Sequence, residues 1–583
     1  MSKHILISEH SLADVARFFG EILGPERRYY ALAIIYGIGI SLLSLATPIS
    51  VQMLINTVAY TGLITPLVVL SLSLFALLII AGLLNALRIH LMDLFSRRFY
   101  ARLVSEVALR AIYAVNPFFD DDGNGTLFNR YFDIVVVVKS LPNLLVGGFT
   151  IVLQTFVGFV LVSLYHPMFL AFNVVLAILI WMIWAVWGKR AMRSAIELSH
   201  RKHATAAWLE GLGTSNGFFK SERHIDDALD YTDAVTRNYI DQHKLHFRHH
   251  FSQTICFLLL YAVASALLLG IGGWLVIRGE LTLGQLVAAE LVLSVVFVGI
   301  SQMGIYLTYF YDLGAAIDEL SLFYKVKQEQ FVDDPQEPAD SSLEFVQAKG
   351  ESRGIGTVLD LAIPPGARVL AHADSHAVQR IFSSFLKGHE PPAGGYISLG
   401  GVDLDTIPSH TLRQQVIVLD RPNIIEMEIR ELLRLSDDGA KPGALLEALE
   451  AVGLQETIAS LDDGLDTRIA ATGWPLSIAE TMQLKLASTI IARPRVVVLN
   501  QLYDVLSDET MLRSLELLSR VTDGGCTVIY FSNHTPPLDF DQWIVLGTET
   551  QSILESESAY LAELMARTGL PAKPDQRGPV PDF

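Results

Sequence analysis

Cysteine is almost absent from this chain: Cys256 and Cys526 are the two in 583 residues. One lies inside an apolar run and the other beside a strand-like run, in segments of different character, so a disulfide framework is excluded. Basic residues are also scarce. The 43 Lys and Arg face 61 Asp and Glu, for a formal charge of -18, which argues against a nucleic-acid partner and reads as a solubilising acidic surface. Charged residues make up 18% of the chain and hydrophobic ones 51%, and the mean hydropathy of +0.40 is high for a soluble protein of this size. The opening segment MSKHILISEHSLADVARFF has no compact apolar stretch followed by a small-residue cleavage site, so it does not read as a signal peptide. The length exceeds what one hydrophobic core organises, and at least two domains are expected.

A helix crosses the apolar layer of a bilayer, about 30 Å, in about 20 residues. Six runs satisfy this: Tyr29 to Tyr60, Leu63 to Phe95, Leu141 to Tyr165, Pro167 to Gly188, Ser252 to Ile277 and Leu283 to Phe310. Several exceed the need, which predicts helices that continue into water, with Arg88, His90 and Asp93 on such a continuation. Arg27 and Arg28 precede the first run, Arg97, Arg98 and Arg102 follow the second, and Lys189, Arg190 and Arg193 follow the fourth. The opposite connections, Thr61-Gly62, His166 and Arg278 to Thr282, hold one basic residue among them. The positive-inside rule therefore puts both termini and the long connections, about 96 to 140 and 189 to 251, in the cytoplasm.

Three local patterns lie between the right helices. Phe118-Phe119-Asp120 runs through Gly125-Thr126-Leu127 to Arg130, Glu210-Gly211 runs through Gly217 and Phe218 to Arg223, and Gly279-Glu280-Leu281-Thr282-Leu283-Gly284-Gln285-Leu286 opens the sixth run. With short outside turns and long inside loops, this arrangement resembles the transmembrane domain of type I ABC exporters. The resemblance implies coupling regions at Phe118, Phe119, Asp120, Gly217 and Phe218. Two other readings are set aside. Asp120 to Gly125 opens like a calcium loop, but Tyr131 stands where a bidentate Glu is required. His243, His246, His249 and His250 have helical spacing that could gather imidazoles for a metal, yet they read as a polar helix end.

After Phe323 a polar linker leads to short strand-like runs, Val369 to Ala371, Val416 to Leu419, Val496 to Leu499 and Thr527 to Phe531, interleaved with helical segments. This is the sign of an α/β domain. Pro365-Gly366, Gly388 to Gly394, Gly400-Gly401-Val402-Asp403-Leu404, Leu412-Arg413 and Ile429-Arg430-Glu431 resemble, in order, the framework of an ABC nucleotide-binding domain. The expected organisation is an N-terminal cytoplasmic segment over 1–28, a six-helix all-α exporter transmembrane domain over 29–323, a linker over 324–342, an α/β nucleotide-binding-like domain over 343–570 and a disordered tail over 571–583.

Within that frame the phosphate and magnesium ligands are missing. The P-loop pattern is G-x-x-x-x-G-K-[ST], in which glycines let backbone N–H groups close on phosphates, Lys bridges the outer phosphates and the hydroxyl holds magnesium. The aligned residues are Ala373-Asp374-Ser375-His376-Ala377-Val378-Gln379-Arg380. Val378 puts a branched side chain where unusual dihedrals are expected, and Gln379 and Arg380 replace the lysine and the hydroxyl. Walker B ends in Asn500-Gln501 in place of Asp-Glu, so both carboxylates are lost. The Q-loop glutamine aligns with Asp420 and the switch histidine with Asn533, beside His534. The signature aligns with Leu476-Ser477-Ile478-Ala479-Glu480, and no aromatic residue occurs between Val346 and Leu361, where the family stacks adenine.

The resemblance then implies a pseudo-ATPase exporter-like subunit, with no catalytic residue and no expected binding of ATP or magnesium. It is expected in a bacterial inner membrane, as a homodimer or as a heterodimer with another ABC half-transporter. Two alternatives stand beside it. One is a scaffold or regulator that docks envelope or secretion proteins, and the other is a silent subunit energised by an active partner.

Overall fold

The computed structural model describes residues 12–61, 64–115, 124–329, 332, 336–522 and 525–568. Phe118, Phe119 and Asp120, most of the calcium-like loop, the first part of the 1–28 segment, parts of the linker and the 571–583 tail lie outside the described residues. The chain divides into two compact units, Met1–Gln328 and Glu329–Phe583.

The first unit is helical. Its elements are α1 (Leu12–Leu23), α2 (Arg27–Leu43), α3 (Ala46–Thr61), α4 (Ile64–Ile112), α5 (Phe132–Asn143), α6 (Phe149–Ser163), α7 (Pro167–Thr214), α8 (Glu222–Ile277) and α9 (Leu283–Tyr324). Six helical stretches are long and apolar enough to cross a membrane: Arg17–Asn56, Ile64–Ile112, Leu127–Ser163, Pro167–Thr214, Glu222–Ile277 and Leu283–Tyr324. α7 and α8 hold 48 and 56 residues, so each is at least about 70 Å long and outreaches the apolar layer more than twofold.

The helix starts are written locally. Pro167 opens α7, and Ser221 caps α8. Thr282 and Gln285 form a reciprocal capping box at α9, which is what the Thr-x-x-Gln of the preceding turn supplies. Between α5 and α6 the chain widens into a π-turn, Leu144–Gly148, where a Cβ on Gly147 would stand 2.3 Å from the Tyr306 ring. α9 forms the centre of the unit, with half of its most apolar window buried, against none for α4. Its small residues allow that. Cβ atoms on Gly284, Gly299, Gly304 and Gly314 would strike Asn56, Ile151, Thr254 and Met192, from α3, α6, α8 and α7 in turn.

Arg88 departs from its expected position in water. It is 3% exposed, and its guanidinium turns inward to Thr150 Oγ1 at 2.5 Å and Asn85 Oδ1 at 2.9 Å. An unpartnered cation beside lipid is costly, and neutral acceptors on the neighbouring turn and on α6 draw it into the bundle.

The second unit is α/β. Strands β1 (Leu343–Ser352) and β2 (Ile355–Ile363) pair antiparallel, and β1 also pairs with β4 (Tyr396–Leu399), which carries β5 (Val402–Asp403). A six-stranded sheet has the order β12-β11-β3-β10-β9-β6. Its strands are β3 (Arg368–Ala373), β6 (Val416–Leu419), β9 (Val496–Leu499), β10 (Thr527–Phe531), β11 (Gln542–Leu546) and β12 (Gln551–Leu554), all parallel except β12. A two-stranded ribbon pairs β7 (Met427–Glu428) with β8 (Arg468–Ile469).

The helices of this unit are α10 (His376–Leu386), α11 (Ser409–Gln415), α12 (Ile429–Ser436), α13 (Pro442–Ala451), α14 (Gln455–Ala459), α15 (Ile478–Ala492), α16 (Asp508–Val521) and α17 (Glu557–Thr568). β9 reads Val-Val-Val-Leu and is buried throughout, as a central parallel strand covered on both faces requires. One core cluster locks α10 to both sheets: Phe382 stacks on Phe345 at 5.0 Å and meets Phe531 edge-on at 5.5 Å. Phe382→Ala is expected to cost about 3–5 kcal/mol, read as a lowered denaturant midpoint in tryptophan fluorescence.

Candidate functional site

β3, β10, β9 and β6 lie side by side and parallel, so the loops that follow them open on one edge of the sheet. Such an edge is the binding crevice of open α/β sheets. The residues read from sequence as P-loop, Q-loop, Walker B and switch all sit there. Gln379 meets Gln501, and Asn500 meets the backbone of Asp420.

The centre is a pair of amides. Gln379 Nε2 donates to Gln501 Oε1 and Gln501 Nε2 donates to Gln379 Oε1, both at 3.0 Å. Gln379 is 8% exposed, and the reciprocal pairing satisfies its amide without any charge. Asn500 is spent on the backbone. Its Oδ1 accepts the Leu502 N–H at 3.1 Å, starting the turn Gln501–Val505, and its Nδ2 donates to the Asp420 carbonyl at 3.0 Å.

The anions of the crevice have internal partners. Asp420 takes Lys387 Nζ, from the end of α10, at 2.5 Å. Asp374 takes Arg567 Nη1, from α17, at 3.0 Å, and Arg567 also reaches Glu563 at 2.7 Å and Ser552 at 3.1 Å. The hydrogen bond from Arg567 holds the Glu563 carboxyl below its ordinary range. Behind them Asp504 accepts Tyr530 Oη at 2.7 Å and the Asn533 N–H at 3.0 Å, with His534 Nδ1 at 3.5 Å. Asn533 and His534 thus meet Asp504, not the amide pair.

Val378 corrects an expectation. It is the third residue of α10, fully buried in the core, and it is absent from the positive-φ residues, which outside glycine are Gln347, Arg353 and Arg493 among the described residues. A branched side chain is compatible with this position because the chain is already helical, and Ser375 Oγ accepts the Val378 N–H at 3.4 Å as the cap. Ala373 ends β3, while His376 and Arg380 lie exposed on the first turns of α10.

The signature residues bond among themselves. Ser477 caps α15, its N–H donating to Glu480 Oε2 at 2.8 Å while the Glu480 N–H donates to Ser477 Oγ at 3.3 Å. The helix start is thus already occupied by the chain's own carboxylate. Leu476 is buried, Ala479 is half-buried, and Ile478 is 67% exposed. In the first unit Gly217 and Phe218 form the turn between α7 and α8, where Phe218 is exposed and stacks on His224 at 4.4 Å.

Lys387, Asp504 and Arg567 were not singled out in the sequence. Lys387 had a faint signal, a lysine ahead of Gly388 at a helix end. Arg567 lies nearly two hundred residues beyond Asp374, and no motif joins them. A double-mutant cycle tests the amide pair. Gln501→Ala, which strands the Gln379 amide, is expected to cost about 1–3 kcal/mol, while Gln379→Leu with Gln501→Leu costs less than the sum of the single changes. Urea unfolding supplies the measurement.

Comparison with known proteins places this geometry. Residues 30–210 match the model of the ABC transporter transmembrane region. An uncharacterized ABC transporter ATP-binding protein of Bacillus subtilis, YknV, is 21% identical over 79% of this chain and 78% of its own length. The ABC multidrug transporter mdr2 of Aspergillus fumigatus is 23% identical over 94% of this chain and 71% of its own. A bacterial Atm1-family ABC exporter, solved with ATP bound, superposes with a TM-score of 0.79 at 17% identity, covering 93% of this chain and 98% of that one. This chain thus holds six helices long and apolar enough to cross a membrane, a segment that matches the ABC transporter transmembrane region and, after it, an α/β domain, in the fold of an ABC exporter.

Proposed function

We propose that this protein is an exporter-type membrane subunit that does not hydrolyse ATP at its own site and works as a dimer, with both termini on the cytoplasmic side of a bacterial inner membrane. The observation that carries this reading is the reciprocal Gln379–Gln501 amide pair. In the exporter resemblance these are the positions of the phosphate-bridging lysine and the water-orienting glutamate. A working site needs a cation, a carboxylate and a gap between them for phosphate and magnesium; here two neutral groups close on each other. The donor set does not suit magnesium, which prefers carboxylate and water oxygens, because Asn500 and Gln501 offer amides already engaged elsewhere. The nearby carboxylates Asp374 and Asp420 are held by Arg567 and Lys387.

The Atm1-family neighbour is an exporter with ATP bound. Our reading for this chain keeps the exporter path and dimer without the nucleotide, and neither ATP nor magnesium is a cofactor. A subunit that completes an active partner's site through its signature is the less favoured alternative, since Glu480 places a carboxylate where a partner's phosphate would have to enter.

The test is vanadate-sensitive ATPase activity of the purified chain in lipid, together with nucleotide binding by calorimetry. Turnover is expected to stay at background and no heat of Mg-ATP binding is expected. Vanadate-sensitive turnover that Gln501→Ala abolishes would overturn the proposal. A revertant joining V378G, Q379K, R380S, N500D and Q501E is expected to regain Mg-ATP binding, because it restores the phosphate cradle and the magnesium ligand on an intact frame.

A further inference from the structure

About 50 Å along α7 and α9 from their outer ends, well beyond the roughly 30 Å apolar layer, the first unit buries a network of charges. On α5, Asp133 is 1% exposed and accepts His203 Nε2 at 2.5 Å and Lys202 Nζ at 2.8 Å. On α9, Asp318 and Glu319 are 1% and 0% exposed. His200 Nε2 lies 2.9 Å from Asp318 Oδ2 and 3.8 Å from Glu319 Oε1, and Arg130, in the turn Asn124–Tyr131 before α5, donates from Nε to Glu319 Oε2 at 2.6 Å. His200 and His203 stand three residues apart on α7, so one helix face gathers both carboxylate groups.

The charge count is uneven. Three buried carboxylates, Asp133, Asp318 and Glu319, face two permanent cations, Arg130 and Lys202, and the network is one positive charge short unless an imidazole carries a proton. Asp318 Oδ1, Glu319 Oε1 and His200 Nδ1 are buried without hydrogen-bond partners, so little else offsets that charge. Among the described residues, two further acids stand near His200 and Lys202. Glu197 lies 3.9 Å from His200 Nδ1 but pairs with Arg201 at 2.6 Å. Asp312 on α9 has its carboxyl raised above the ordinary range by burial, against the fields of Lys202, His250 and Lys139. From α8 come hydrogen bonds on either side, Thr232 with Trp208 and His246 with Ser194.

We propose that this network is a proton-operated latch: a proton held at His200 ties α7 to Asp318 and Glu319 of α9, and through Glu319 to Arg130 in the turn before α5, and its release loosens the ties. The direction is set by the folded state. Burial works against a charged His200 ring, but the hydrogen bond to Asp318 and the fields of Glu319, Asp318 and Glu197 outweigh it, so its pKa is raised. The stabilisation is then complete below about pH 6.5, the ordinary histidine value, and is lost as pH rises through the higher folded value. The device is independent of the nucleotide crevice and of any reading of it.

Hydrogen exchange of the intact protein in lipid nanodiscs between pH 5.5 and 9, corrected for the chemical rate, is the test. Peptides spanning 130–140, 197–205 and 313–322 are expected to exchange severalfold faster at the alkaline end, the direction that a raised His200 pKa gives through linkage. Peptides of the six-stranded sheet serve as the unchanged reference. His200→Gln is expected to remove the pH response and to exchange at all pH values as the wild type does at pH 9. A flat profile in the wild type, which needs no variant to fold, would overturn the latch, as would a variant that keeps the wild-type response.

Discussion

Gln379 and Gln501 spend their amides on each other, and the rest of the crevice is arranged around that closure. A lysine at 379 would bring a charge into a position 8% exposed, where it would need an anion, a metal-bound phosphate or an acidic neighbour. Two amides need none of these. Because the pair is neutral and complete, Asn500 is free to hold the Asp420 carbonyl, the start of α10 can be an ordinary capped helix, and Val378 can face the core. The carboxylates that remain are matched by lysine or arginine of the same chain or, at Asp504, by a tyrosine hydroxyl and a backbone N–H. Electrostatically, the crevice on the proposed reading is satisfied from within.

The helices of the membrane unit were legible because their signal is collective. Twenty apolar residues in a row outweigh any single exception, and period-3.6 patterning carried α7 and α8 far past the apolar layer. The framework of the α/β unit was legible for a related reason: strand runs such as Val496 to Leu499 are continuous, and glycines at 388, 400 and 401 take the left-handed turns that their type allows. What escaped was pairwise and distant. Arg88 sits in a run whose flank predicts water, yet Thr150 lies on another helix within 2.5 Å. Arg567 and Asp374 meet only because β11 and α17 return the chain to the edge of β3. Val378 was misread in its backbone, since a P-loop glycine implies special dihedrals only when the loop wraps a phosphate. Here Ser375 ends the loop early and the helix begins.

The Ser477–Glu480 capping box shows the same logic at a helix start. A positive helix end with free N–H groups invites an anion. In α15 two of these N–H groups, those of Ser477 and Glu480, are taken by side chains of the same turn.

The two units end in opposite electrostatic conditions, and that contrast bears on where a response can arise. In the α/β crevice each buried polar group named above has a partner of matching kind. In the helical unit Asp133, Asp318 and Glu319 are fully buried against two fixed cations, with His200 against Asp318. Buried charge that is one proton from neutrality responds to its surroundings, and here it lies across three helices that also form the membrane spans. A fold that the Atm1-family exporter shows with ATP bound has, on this reading, its crevice sealed by amides, while the side chains able to change state are those joining α5, α7 and α9.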